Sequence, residues 1–192
     1  MEFYDPATQK YYQPSKTEIL QSVKAIDTRW NGYRFRSRLE ARWALFMYEL
    51  GIKFDYESEG FELICGPYLP DFWLPIPEEI NFSGYPGAGH WFEVKGPEPT
   101  QHELSALLHL SIATKHSGIL VWGTPWNFKQ YFTHRNGNHG WAVWHEAWPC
   151  SDEDHNLNWN LQLMFHNYHT PGSAIPAVLK AKSARFEFGE SE

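Results

Sequence analysis

Cysteine is nearly missing from this chain: Cys65 and Cys150 are the only two among 192 residues. Two thiols cannot build the disulfide framework of a small secreted scaffold, and their separation matches no zinc-ligand spacing. A reducing compartment is the expected setting. Long apolar runs are missing as well, and none approaches the roughly 20 residues that span a bilayer. The opening Met1-Glu2-Phe3-Tyr4-Asp5 has neither a basic start nor an apolar stretch, so no signal peptide is expected. There is no internal repeat and no low-complexity tract. The expectation from these absences is a soluble, cytoplasmic protein.

A positive net charge is also lacking. The formal value of -7 counts against a protein that coats nucleic acid. The charge is uneven, however. Lys24, Arg29, Arg34, Arg36, Arg38 and Arg42 fall close together, opposed only by Asp27 and Glu40. A local basic stripe contacts phosphates while the whole chain stays acidic. A run of this kind is equally a solvated helix face.

Aromatic residues, in contrast, are abundant, with ten Trp and thirteen Phe, and apolar residues make up 42% of the chain. Such a chain supplies the burial that offsets ordering entropy, which excludes a disordered one. At this length a single domain, with or without a small appendage, buries roughly 70% of its unfolded surface and needs no staple.

The strongest helical signal covers residues 37–50, where Leu39, Trp43, Phe46, Met47 and Leu50 recur at helical spacing. Ser37 with Glu40 reads as a capping box, and Gly51 as the stop. Strands are expected at 53–57, 61–64 and 68–74, with a turn at Gly66-Pro67. Residues 75–89, rich in Pro and Gly, read as a surface loop, and 90–95 as the next strand. A second helix is expected over 100–116, with Leu104, Leu107, Leu108 and Ile112 on its apolar face. The run Gly118-Ile119-Leu120-Val121-Trp122 reads as a strand buried on both sides. A hairpin of 131–134 with 141–144 is expected across Asn136-Gly137. A short helix near 17–26 and a last helix near 173–186 complete the pattern.

Chemistry concentrates in three places. Asp71 follows Pro70 in Tyr-Leu-Pro-Asp-Phe-Trp. Glu93 and Lys95 stand two apart in Phe-Glu-Val-Lys-Gly, so on a strand they face one side while Val94 faces the other. If the two strands pair, two carboxylates and an ammonium share one patch. Carboxylate oxygens are the ligands magnesium prefers. A bound metal neutralises charge at phosphorus and lowers the pKa of water, and a lysine orients that water. Pro-Asp and Glu-x-Lys also arise by chance, as a turn aspartate and an ordinary strand face.

The ten histidines show no ligand spacing and read as surface residues. The tryptophans at 122, 126, 141, 144, 148 and 159 either stack on bases or fill a core, and their apolar neighbours favour the core. Asp152-Glu153-Asp154 reads as a solvated acidic loop.

Pro70-Asp71 followed by Glu93-Val94-Lys95, set between two helices, resembles the signature of the PD-(D/E)XK, or restriction-endonuclease-like, nuclease superfamily. The run from Gly32 through Arg38-Leu39-Glu40-Ala41-Arg42-Trp43-Ala44 looks like the first helix of a small phage and bacterial group of that superfamily. Tyr56-Glu57, Tyr68-Leu69-Pro70-Asp71-Phe72-Trp73 and Ala184-Arg185-Phe186-Glu187 look like that group too. The strand pair is similar to that of TnsA-type transposon-end nucleases. The resemblance covers about residues 29–123 and, more loosely, the C-terminal stretch.

The resemblance implies an α/β fold with a restriction-endonuclease-like core of order αβββαβ, a central mixed β-sheet flanked by helices and a C-terminal extension. Residues 1–28 would be an N-terminal arm, 29–124 the nuclease core and 125–192 the extension packed on it. Asp71 and Glu93 would hold Mg2+, or Mn2+ in its place, with the Val94 carbonyl as a further ligand. Lys95 would act on the water, and Glu40 would complete the site or serve only its cap. Glu57 and Gln101 are weaker candidates. Arg34, Arg36, Arg38 and Arg42, with Lys180, Lys182 and Arg185, would contact the DNA backbone. A homodimer or a directing partner protein is compatible with this implied role, in a bacterial or phage-infected cell. The alternative is a non-cleaving nucleic-acid-binding or regulatory protein that keeps the fold.

Overall fold

The computed structural model describes residues 3–5, 10–12, 26–76, 88–135, 141–146 and 174–186, with side chains for 26–76, 88–133 and 174–186. The helix expected near 17–26, nearly all of the 75–89 loop, the turn at 136–140 and the acidic run at 152–154 lie outside the described residues.

A short antiparallel hairpin, β1 (Phe3–Asp5) with β2 (Lys10–Tyr12), stands where an extended arm is expected. A second hairpin, β3 (Thr28–Trp30) with β4 (Tyr33–Phe35), turns through Asn31 and Gly32. Both turn residues have positive φ, 49° and 80°, as a two-residue hairpin of the Asn-Gly kind requires. Residues 32–36 are therefore strand and connector, not the start of the first helix. The helical resemblance holds only from Arg38.

Helix α1 (Arg38–Glu49) begins at Ser37, whose hydroxyl accepts from the Glu40 amide at 3.1 Å. The left-handed Gly51 (φ 72°) follows its C-terminal cap. Its buried residues include Ala41, Ala44 and Leu45 beside Trp43, Phe46 and Met47. That face is wider than the sequence period implies, because α3 (Ile175–Ser183) packs along α1 while the sheet covers its other side.

Six strands form the central sheet: β5 (Asp55–Tyr56), β8 (Phe72–Pro75), β9 (Gly89–Lys95), β10 (Ser117–Thr124), β11 (Asn127–Arg135) and β12 (Trp141–Glu146). Their order across the sheet is β12-β11-β10-β9-β8-β5. All neighbours are antiparallel except β9 and β10, which α2 (Gln101–Thr114) joins as a crossover. The molecule is thus α/β with a mixed sheet. The sheet runs past residue 124 without a break, because β11 and β12 extend it.

The expected 61–64 strand is outside this sheet. It forms a separate hairpin, β6 (Phe61–Leu63) with β7 (Gly66–Tyr68), that turns at Ile64-Cys65. Gly66-Pro67 is strand rather than turn, and Tyr68 belongs to this hairpin rather than to β8.

Side chains of β9 and β10 alternate between two layers. Phe92, Val94, Ile119 and Val121 join the main core with α1 and α3. Leu120 and Trp122 pack with Leu104 and Leu107 of α2. The buried face of α2 is Leu104, Ala106, Leu107, Leu110 and Ser111, whereas Ile112 is half exposed and Leu108 only partly buried. The shift has a polar cause and a steric one. Ser111 Oγ lies 2.6 Å from Thr133 Oγ1, and Leu107 packs against Gly118, where a Cβ would come within 2.6 Å of its side chain.

Candidate metal and phosphodiester site

The register of β8 on β9 ends with Phe72 opposite Phe92. One step beyond, Asp71 and Glu93 face each other, and their carboxylates replace the backbone ladder. The Val94 amide donates to Asp71 Oδ2 at 2.8 Å, and the Asp71 amide donates to Glu93 Oε2 at 3.2 Å. Asp71 and Glu93 are each only 3% exposed. Pro70, also buried, brings the chain to this point without a donor of its own.

Each carboxylate spends its second oxygen on a cation. Lys95 Nζ lies 2.8 Å from Glu93 Oε1, and 3.6 Å from Glu103 Oε1 in the first turn of α2. Arg36 Nη2 lies 2.7 Å from Asp71 Oδ1, and its Nε pairs with Glu57. Glu103 is itself fixed by a full capping box with Thr100.

Glu40 reaches the same region from the N-terminus of α1. Its Oε1 accepts from Ser37 Oγ at 2.7 Å, and its Oε2 accepts from the Arg36 amide at 3.0 Å and the Tyr56 hydroxyl at 2.6 Å. The expected capping box is therefore modified. Glu40 takes the Arg36 amide and the Ser37 hydroxyl rather than the Ser37 amide, and it both supports the helix start and faces the cluster. Tyr68, from the β6–β7 hairpin, comes near enough to Glu93 for the carboxylate to act on its hydroxyl.

The electrostatics follow from burial. Asp71 is pushed well above the ordinary carboxyl range by desolvation and by the Glu93 and Glu40 charges, against the Val94 amide and Lys95. Burial works to lower Lys95, but Glu93 beside it, with Asp71 and Glu103, raises it above its ordinary value. Burial likewise works against Arg36, and Asp71, Tyr56, Glu57 and Glu40 together raise it. Burial pushes the Tyr68 and Tyr56 hydroxyls up, as do Glu93 and Glu40 respectively. Burial favours a neutral Glu103, but the Thr100 bonds and Lys95 outweigh it and hold that carboxyl below the usual range.

The donor set suits a hard divalent cation. Asp71 and Glu93 supply adjacent buried carboxylates, and magnesium commonly takes one or two, with waters and phosphate oxygens completing its shell. Mutual repulsion raises Asp71 in a way a cation relieves. Among the described residues no three His, Cys, Asp or Glu side chains converge as a ready metal cage. An all-protein cage is therefore not formed, and the fit rests on the Asp71–Glu93 pair.

The basic candidates separate into different environments. Arg36 is part of the cluster. Arg34, on β4, is exposed and pairs with Asp27. Arg38 opens α1 and is partly buried. Arg42 lies over the Trp126 and Phe186 rings and donates to the Ala184 carbonyl at 3.4 Å, so it ties α1 to the segment after α3. Lys180 pairs with Glu49 at 2.7 Å, and Lys182 and Arg185 are exposed. The Arg42 contact places Arg185 next in sequence to a residue touching α1, so the two basic groups border one helix pair. Gln101 is exposed at the start of α2, outside the cluster's hydrogen bonds.

Sequence reasoning gave no role to Tyr56 and Tyr68 and only a minor one to Glu57. The Glu57 signal is local: it holds φ at 46°, and its amide donates to the Asp71 carbonyl at 2.9 Å. Tyr68 had no usable signal, because only the tertiary position of its hairpin brings it to Glu93.

No family model matches the chain, and no curated protein matches it.

Proposed function

We propose that this protein is a metal-dependent nuclease of the PD-(D/E)XK type, hydrolysing phosphodiester bonds in DNA. The observation that carries this reading is the pair Asp71 and Glu93, cross-bonded to each other's strands at the end of the β8–β9 ladder, with Lys95 on the same face. In this reading the central sheet with α1 and α2 is a restriction-endonuclease-like core.

Asp71 and Glu93 would hold Mg2+ or Mn2+ through the oxygens that their backbone bonds leave available. When bound, the ion supplies charge neutralisation at phosphorus and a lowered pKa for an attached water. Lys95, held above its ordinary value, stays protonated at neutral pH. It therefore acts as a donor that orients water or stabilises phosphate charge, not as a base. Glu93 and Glu103 fix its ammonium from two elements, and Tyr68 limits the freedom of Glu93. Glu40, pinned by Tyr56 and Ser37, supports the site from α1. Arg38, Lys182 and Arg185 are the candidates for backbone phosphate contacts. The place of action would be the cytoplasm; among the described residues no helix is long and apolar enough to cross a membrane.

One observation favours a second reading, a non-cleaving nucleic-acid-binding or regulatory protein. Arg36 and Lys95 already compensate the carboxylates internally, so the cluster is not without counter-charge.

Incubating purified protein with duplex, single-stranded and branched DNA under Mg2+, Mn2+ or chelator separates the two. The nuclease reading expects metal-dependent cutting that is lost in folded Asp71→Asn and Lys95→Ala. DNA retention without cutting, by folded wild type in either metal, would sink it in favour of the second.

A further inference from the structure

Resting on the metal-site reading above, we propose that Arg36 is a built-in counter-ion that competes with a divalent cation for Asp71. The two oxygens of Asp71 are committed differently. Asp71 Oδ2 is engaged by the Val94 amide, a strand backbone group that cannot leave without breaking the sheet edge. Oδ1 is engaged only by a side chain, the Arg36 guanidinium at 2.7 Å. Any ion that takes an oxygen of Asp71 not already committed to the backbone must therefore take the one Arg36 holds.

Arg36 is built to give way. Its backbone is anchored, since its amide donates to Glu40 Oε2 and to the Tyr56 hydroxyl at 2.9 Å. Its side chain, however, is 53% exposed, whereas that of Asp71 is 4% exposed. Withdrawing an exposed guanidinium into water costs little, but leaving a buried carboxylate without a cation costs much. Glu57 offers an alternative anchor, because Arg36 Nε already pairs with it. The guanidinium can release Asp71 while keeping Glu57. Lys95 differs: its side chain is 27% exposed and Glu93 and Glu103 hold it from two elements, so it stays in place.

The test is calorimetric titration of Mn2+ into the full chain without DNA, together with melting curves in chelator and in Mn2+. Arg36→Gln keeps the backbone amide and removes the competing charge. It is expected to bind Mn2+ roughly tenfold or more tightly, the scale of a charge-assisted hydrogen bond, and to gain a larger Mn2+-induced rise in Tm than wild type. Arg34→Gln makes the same charge change away from Asp71 and should stay within about twofold of wild type, because exposed charges are screened. Asp71→Asn should abolish binding. Unchanged or weaker affinity in Arg36→Gln, with binding still dependent on Asp71, would overturn the competition and leave the metal site standing. An equal gain in Arg34→Gln would overturn it too, because only the overall field would matter. No Mn2+ binding in wild type or Arg36→Gln would remove the metal-site reading and this inference with it. Should Arg36→Gln fail to fold, Glu57→Gln decides: without its second anchor the guanidinium stays on Asp71, so Mn2+ should bind more weakly, and unchanged or tighter binding overturns the proposal.

Discussion

Strand β9 has two faces, and they do opposite things. Phe92 and Val94 enter a core where Trp43 meets the Phe92 and Phe128 rings edge-on at 5.4 and 5.1 Å and its indole N–H donates to the Gly123 carbonyl at 3.1 Å. The rings there are apolar, and the indole N–H is satisfied. On the other face, Glu93 and Lys95 meet buried Asp71, which precedes β8, and the repulsion between carboxylates is offset by two cations, Lys95 and Arg36, and by the Val94 amide. Adjacent residues of one strand thus contribute stability on one side and store an electrostatic cost on the other.

The comparison breaks most visibly on the core side. Trp43→Ala should destabilise by about 3–5 kcal/mol, from the cavity and the unpaired Gly123 carbonyl. Urea unfolding measures it, and a loss below about 1 kcal/mol would mean that the core does not depend on this ring.

On the site face the sign should reverse. Asp71→Asn removes a repelled buried charge and should stabilise the metal-free chain at any pH where wild-type Asp71 is ionised. The pH dependence sharpens this. A carboxyl raised in the folded state protonates there first, so wild-type stability from this group rises as pH falls from the folded value toward the unfolded one of about 3.9 and gains nothing below it. The stability difference between the Asp71→Asn variant and wild type, read from melting curves in chelator, should therefore narrow as pH is lowered. A gap that widens on acidification would show that Asp71 is stabilised as the anion.

The smallest effect belongs to the cap that holds Glu103. Thr100→Ala should cost about 1 kcal/mol of stability and let the Glu103 carboxyl rise part of the way toward its ordinary value, because the bond from the Thr100 hydroxyl is lost while the one from the Thr100 amide stays. Carbon-detected NMR titration of Glu103 checks the second part; an unmoved Glu103 would assign its lowering to the Thr100 amide and Lys95.

How much of this is legible in the sequence differs by residue. The α1 and α2 helices and the Gly118–Trp122 strand follow from period, caps and breakers, which act over a few residues, whereas the β8–β9 pairing is only a condition in the sequence and is met in the fold. Asn31-Gly32 carries an equally local hairpin signal, and the strong helix beside it obscures that signal. The β6–β7 hairpin escapes the expected sheet because alternation says that a segment is a strand but not with which strand it pairs. Likewise, Leu108 and Ile112 satisfy the helical period, yet the Ser111–Thr133 bond and the small Gly118 rotate α2 away from them.

By itself, the sequence determined that Glu93 and Lys95 point one way and Val94 the other, since a strand has a period of two, and that Glu40 lies in the first turn of a capped helix. Only the tertiary structure decided what surrounds them. Arg36, read as one member of a basic stripe, became the partner of Asp71. Arg42 became a packing residue on Trp126 and Phe186, and Tyr68 arrived at Glu93 from a separate hairpin. The physical reason is range: backbone periodicity and capping are set by neighbours along the chain, whereas the partner of a buried charge is whichever group the folded chain brings within hydrogen-bonding distance.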